Sequence, residues 1–211
     1  IQGYSEDLIV DSLPGKTVKP EHLTAIQEAA SENDVLVFGP GLGEDRDTRS
    51  AVGAVLETYA GRVVLDADAL DAVTTAEIEA SCICTPHRGE FQDLGGTAAT
   101  DREGWATAAM ELAADLEQTI LLKGPADVIT DGEQTRINRT GNPGMTVGGT
   151  GDILAGVTGA MFARLDPVPA AALGAYLTGT AGDLATVNRD GGLLASDLLE
   201  TLPAALGGER P

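Results

Sequence analysis

Lysine is nearly absent from this chain of 211 residues: Lys16, Lys19 and Lys123 are the only three, and all bases together number 13 against 33 acids. A formal net charge of −20 leaves no basic footprint of the kind nucleic-acid binding requires. It also repels nucleotides at long range, so any phosphate site must work locally, through backbone N–H groups, a few bases and a divalent cation. Cysteine is equally scarce. Cys82 and Cys84 stand at i, i+2, on one face of a strand, which suits a reduced core better than a disulfide framework. A metal site of Cys82, Cys84 and His87 is a competing reading, but three candidate ligands in a strand-to-loop segment do not match the zinc patterns. No apolar run reaches the length of a membrane span, and no basic-then-apolar leader follows Ile1. Cytoplasmic location without membrane contact is therefore expected. An acidic disordered chain is excluded by the 43% apolar content and by regular helical patterns. With no Pro- or Ser-rich break, residues 1–211 read as one domain.

What the chain does have is glycine in chosen places. Asn142 to Gly156, NPGMTVGGTGDILAG, holds five glycines in fifteen residues, and Ile153, Leu154, Val157 and Met161 follow at helical spacing. That describes a flexible loop running into a buried helix. The first N–H groups of a helix have no intrahelical partner, the macrodipole adds partial positive charge, and Gly148, Gly149 and Gly151 let a phosphate approach the backbone. Asp152 is out of place beside an anion unless it takes a proton or holds a cation, and we read it as a general base. The alternative is that an acid there only favours the first helical turn. Neither common phosphate-loop template fits, since no Gly-Lys-Ser/Thr follows and no strand-GxGxxG-helix unit is present.

The remaining segments alternate strand and helix. LIVDSL (Leu8 to Leu13) is a short apolar run of strand character, and helix signals follow from Pro20 with Leu23, Ile26, Ala29 and Ala30 on one face. Asp34 to Phe38 reads as a strand covered on both faces, and Gly39, Gly41 and Gly43 form the loop at its carboxyl end, where ligands bind in open α/β sheets. A turn needing positive φ is the other account of those glycines. After a helix from Thr48 to Tyr59, Arg62 to Leu65 forms a strand ending in Asp66 and Asp68, placed for Mg²⁺ or ribose hydroxyls. Asp68 alternatively caps a short helix from Ala69 to Val73. Ser81 to Thr85 is the next strand, and it leads to His87, Arg88 and Glu90. Glu90 serves either Mg²⁺ or the cap of a helix running to Leu94. Asp101 to Leu116 is an amphipathic helix with Trp105, Ala109, Leu112 and Leu116 facing the core. Thr119 to Lys123 delivers a lysine into a Gly-Pro turn, as a phosphate contact or as a snorkelling edge lysine. Val128 to Thr130 and Thr135 to Asn138 read as an antiparallel hairpin. Helices then cover Ile153 to Leu165, Ala170 to Thr186 with Leu173, Tyr176, Leu177 and Leu184 inward, and Ala195 to Leu206. Gly174, Gly179 and Gly182 cost the middle one roughly 1 kcal/mol each, so they are expected to permit close contact. The whole describes an α/β sheet with helices on both faces.

Five of these strings, GPGLG, VLDADAL, TPHRGEF, KGPADVI and NPGMTVGGTGD, together resemble the ADP- or ATP-dependent NAD(P)H-hydrate dehydratases, a family of the ribokinase-like superfamily. The resemblance implies a ribokinase-like fold, mostly parallel with an antiparallel hairpin at one edge. It implies that Gly41, His87 and Asp152 contact the nicotinamide hydrate, with Asp152 as catalytic base. Lys123, Gly124, Pro125, Ala126 and Asp127 would hold the nucleotide's phosphate and ribose, joined by Gly149, Thr150 and Gly151. Asp66, Asp68, Glu90 and Asn142 are further site candidates. Mg²⁺ held through phosphates and ADP or ATP as co-substrate follow, with NADHX and NADPHX as substrates, a homo-oligomer, and an epimerase domain fused upstream. The family's domain begins with a further strand, glycine-rich turn and helix, ~30 residues or more, that do not precede Ile1. High acidity with few lysines and aromatics also resembles proteins of salt-loving organisms. Two other functions stay open: a vitamin-precursor kinase of the hydroxyethylthiazole kinase type, and a nucleotide-binding regulatory module.

Overall fold

The computed structural model describes residues 8–187 and 192–208. Six strands, β1 (Val35–Phe38), β2 (Arg62–Leu65), β3 (Ser81–Cys84), β4 (Thr119–Leu122), β5 (Asp127–Thr130) and β6 (Thr135–Asn138), form one sheet in sequence order. The first four run parallel, and β5 and β6 are antiparallel additions at one edge. The helices are α1 (Leu23–Ser31), α2 (Arg46–Leu56), α3 (Arg88–Asp93), α4 (Arg102–Leu116), α5 (Thr150–Phe162), α6 (Pro167–Thr186) and α7 (Ala195–Leu206).

Strand alternation assigns the two cores. Val63, Leu65, Cys82, Cys84, Ile120 and Leu122 meet α2 and α4 through Val52, Val55, Trp105 and Leu112. Val64, Ile83, Leu121 and Ile129 point the other way, into α5 and α6. Covering both faces explains why β4 is buried at every position, as a parallel interior strand requires. α6 packs with its small residues. A Cβ on Gly174 would lie 2.4 Å from Thr158 Oγ1 of α5, and one on Gly182 would lie 2.3 Å from Met145 Sδ. The glycines therefore permit close helix contact at one end and close approach of the 140–145 loop at the other.

Several expectations need correction. Residues 8–13 form no strand and leave Leu8 and Ile9 exposed, since no neighbouring strand offers them a ladder. β1 meets helices on both faces, Leu36 and Phe38 on one and Val35 and Val37 against Gly159 of α5 on the other, but as the edge of the described sheet it is less buried than expected, with Val37 38% exposed. Of the four α6 residues expected inward, Leu173 faces outward, whereas Leu177 is buried and Tyr176 and Leu184 pack against the same core. α2 and α5 begin two and three residues earlier than expected, Asp45 capping the first with its carboxylate.

Candidate active site

The carboxyl ends of β1 to β4 meet the start of α5. Gly39 turns the chain out of β1 with φ +136°, and a Cβ there would lie 1.7 Å from the carbonyl oxygen of Asp66. Only glycine fits. Gly41 and Gly43 also have positive φ, so the turn reading accounts for all three; no atom stands within 4 Å of where their side chains would be. A cleft of about 170 Å³ opens between residues 13–18 and Gly41 and Leu42. Gly43 donates its N–H to Asp68 Oδ2 at 2.7 Å. Asp68 thus anchors the loop beyond β1, and the expectation that it caps the following 3-10 turn (Ala67–Thr74) is corrected: Asp66 is the residue at that N-cap. Ala67 between them is held at φ +47°, a conformation that costs a non-glycine residue about 1 kcal/mol or more.

Asp66 is the buried centre of the cluster. It is 2% exposed, and its Oδ1 accepts from the Thr85 hydroxyl and from Lys123 Nζ, each at 2.8 Å. Lys123 also lies 3.7 Å from Glu90 Oε2. The snorkelling edge reading of Lys123 is corrected, because β4 sits between β3 and β5 and the ammonium turns inward to two carboxylates. Extended pairing of the strand ends, with Lys123 donating its N–H to the Pro86 carbonyl, brings the lysine beside the loop that carries His87.

His87 has a structural task. Its Nδ1 accepts from the N–H groups of Gly89 and Glu90, while Glu90 Oε2 accepts the His87 N–H at 2.6 Å. This reciprocal cap satisfies the start of α3 and leaves the imidazole edge at Nε2 outward, 3.6 Å from Glu90 Oε1. Of the two readings of Glu90, the geometry shows the cap, and the same Oε2 also lies 3.7 Å from Lys123 Nζ.

The start of α5 is built in the opposite way. Its N-cap, Gly149, has φ +93° and no side chain to accept from the first turn. The Thr150 hydroxyl donates back to the carbonyls of Met145 and Val147, closing the loop and leaving the helix end open. A Cβ on Gly151 would sit 3.7 Å from both Asp66 Oδ2 and Lys123 Nζ, so the open N–H groups, the lysine and the buried carboxylate share one space. Asp152 is exposed on the same turn and has no hydrogen bond or ion pair among the described residues.

Other candidates support rather than join this cluster. Asp127 Oδ1 accepts the Gly124 N–H at 3.0 Å and Oδ2 accepts from Asn138 at 2.9 Å. Burial raises its pKa while these bonds and Lys123 lower it, with a net upward shift. Asp127 shapes the turn through Gly124, Pro125 and Ala126. Asn142 accepts the Gly144 N–H and donates to Asp183 and Thr186, fixing the loop to α6. Sequence reasoning missed Asp183, which also accepts the Gly141 N–H at 2.9 Å; a lone acid in an Ala/Gly-rich helix was the available signal. It missed Thr85 as well, although the residue stands in the TPHRGE string.

Comparison with known proteins gives the chain's family and fold. Residues 1–204 match a carbohydrate-kinase-type family model described as NAD(P)H-hydrate dehydratase. The bifunctional NAD(P)H-hydrate repair enzyme Nnr of Pyrobaculum aerophilum is 39% identical over 209 residues, covering 97% of this chain and 42% of the relative. The ADP-dependent (S)-NAD(P)H-hydrate dehydratase of Cenarchaeum symbiosum is 40% identical over 177 residues, covering 82% and 62%. The chain thus spans about two fifths of the bifunctional relative's length. Among solved structures, the ADP/ATP-dependent NAD(P)H-hydrate dehydratase of Bacillus subtilis co-crystallised with ATP/Mg²⁺ superposes with TM-score 0.73 at 35% identity, covering 83% of this chain and 64% of that one. Hydroxyethylthiazole kinase of Pyrococcus horikoshii, at 20% identity and TM-score 0.69 over 90% of this chain and 76% of that one, shares the fold.

Proposed function

This chain belongs to the NAD(P)H-hydrate dehydratase family, and on that premise we propose that it dehydrates NADHX and NADPHX using ADP or ATP. The observation that carries the reading is the shared space at the start of α5: uncapped N–H groups, Lys123 and Asp66 all border Gly151, and Asp152 stands one residue further on. The hydrate's hydroxyl oxygen attacks the terminal phosphorus, its proton passes to the Asp152 carboxylate, and the bond to the nucleotide's leaving phosphate oxygen breaks. The C–O bond of the phosphorylated hydrate then breaks and the adjacent ring carbon loses its proton to water, which restores the ring double bond of the nicotinamide and releases phosphate. Open N–H groups at Thr150 and Gly151 stabilise charge on the phosphoryl oxygens throughout.

Hard oxygen donors at Asp66 and Glu90 fit Mg²⁺, which keeps several waters and binds through one or two carboxylates plus phosphates. Both carboxylates already face Lys123, so Asp66 and Glu90 would hold the cation only together with phosphate oxygens of a bound nucleotide. When bound, the cation neutralises phosphate charge that this acidic chain would otherwise repel. On this reading Gly41 and the exposed imidazole of His87 contact the hydrate. An epimerase joined upstream and a homo-oligomer belong to the same proposal, checked by the mass of the natural protein and by light scattering.

A positioned base contributes a factor of about 10² to 10⁴. Asp152→Asn is therefore expected to cut recovery of NADH absorbance from NADHX by at least that lower factor while nucleotide binding persists, and wild-type turnover by this variant ends the proposal. Product analysis separates the kinase of the hydroxyethylthiazole type: free phosphate with restored NADH here, a stable phosphoester there.

A further inference from the structure

Lys123 is the obvious cation for a phosphate, yet its charge is already shared between Asp66 at 2.8 Å and Glu90 at 3.7 Å. Arg88 is a second cation at the same loop cluster, and it is held differently. Its guanidinium lies 4.6 Å over the Trp105 ring, which is itself buried and packed edge-on against Phe91 with centroids 6.0 Å apart. In a chain of 33 acids it has no carboxylate partner and no hydrogen bond among the described residues. Stacking on an aromatic face orients a guanidinium without occupying any of its N–H donors. Its Nε and Nη2 stand 3.7 Å from where a Cβ of Gly124 would be, above the turn that follows Lys123. Glycine there lets the guanidinium lie against the backbone.

We propose that Arg88, pinned on Trp105 above Gly124, is a phosphate-binding residue of this site that governs affinity for a phosphate-bearing ligand and takes no part in proton transfer. It rests on the reading of the site as one for nucleotides. A planar fork with free donors suits a phosphate oxygen pair, and two sources present that chemistry: the terminal phosphates of ADP or ATP, and the pyrophosphate of the hydrated dinucleotide.

The test compares wild type with Arg88→Gln and Arg88→Lys in the natural full-length protein. Calorimetric titration with ADP and ATP is one arm, and steady-state turnover of NADHX and NADPHX is the other. Arg88→Gln is expected to weaken one ligand about tenfold, in Kd for nucleotide or in KM for hydrate, with kcat within twofold and an unchanged melting temperature. Arg88→Lys recovers part of the loss because charge returns without the fork. A change confined to ADP and ATP assigns Arg88 to the nucleotide, and one confined to KM of the hydrates assigns it to the dinucleotide. Unchanged affinities in a folded Arg88→Gln overturn the inference, as does an equal fall in every constant accompanied by a lowered melting temperature. If wild type binds ADP but releases no phosphate from NADHX, the proposed reaction fails while the binding arm still judges Arg88.

Discussion

The starts of α3 and α5 lie at the same end of the sheet and answer the same chemical demand in opposite ways. A helix begins with N–H groups that need acceptors. At α3 the chain supplies them itself, His87 accepting two and Glu90 accepting the N–H of His87 in return. At α5 it supplies none: glycine stands at the N-cap, and the Thr150 hydroxyl turns away to the preceding loop. The difference separates a helix end satisfied by its own side chains from one that no side chain caps. It also bears on Lys123, since Glu90 of α3 joins Asp66 in holding the lysine beside the open end of α5.

The strongest way to break this contrast is to remove the group beneath both ends. Asp66→Ala removes the nearest carboxylate from Lys123 and leaves the buried Thr85 hydroxyl only its longer bond to the Leu65 carbonyl, and is expected to cost about 3 kcal/mol in urea unfolding, the size of breaking a buried pair. A loss under 1 kcal/mol would mean that Glu90 suffices as partner. Filling the open end comes next. Gly151→Val places atoms in ordinary contact with Asp66 and Lys123, so ADP affinity should fall about 10²-fold, the size of removing a preorganised donor, with stability nearly unchanged. Equal binding would show that phosphate does not approach α5.

Two smaller effects sharpen the account of the capped end. His87→Ala should destabilise by about 1 kcal/mol through the lost cap. His87→Asn restores a good capping side chain, so its stability should return to near wild type while KM for NADHX remains raised. Recovery of both would leave the imidazole with no role beyond capping. The smallest effect lies in β3, which feeds that end. Burial pushes the Cys82 thiol up to about 12 and the Cys84 thiol up as well, from an ordinary value of 9.0. Unfolded thiols deprotonate first, so their contribution is fully present below pH 9 and is lost as pH rises toward the folded values. Both thiols should ignore a thiol reagent at pH 8 and react in urea, and rapid labelling of the folded protein would contradict their burial.

Short runs bounded by glycine, acids and turn residues marked all six strands among seven expected and, through period 3.6, most of the helices. The exception, Leu8 to Leu13, fails because a strand needs a partner that local pattern cannot supply. Helix starts slipped by two or three residues where a cap decides them, as at Asp45 and Gly149. At the site, the glycines and acids were legible as residue types in the loops beyond strand ends. Their pairing was not. Asp66 meets Lys123 across β3, 57 residues away in sequence, and Asp183 reaches the NPGM loop from 41 residues beyond Asn142. Asp68 illustrates the limit best: next to a short helix it reads as a cap, yet it holds Gly43, 25 residues upstream.

The sequence alone determined that glycine would line the loops at the carboxyl ends of the strands and that an acid would stand in the first turn of α5, because backbone conformation and helix dipoles act within a few residues. Tertiary structure decided which charges meet. Strand order placed Asp66, Glu90 and Lys123 together, left Arg88 on Trp105 without a carboxylate, and kept the end of α5 open, since ion pairing depends on distances of a few ångströms that only packing sets.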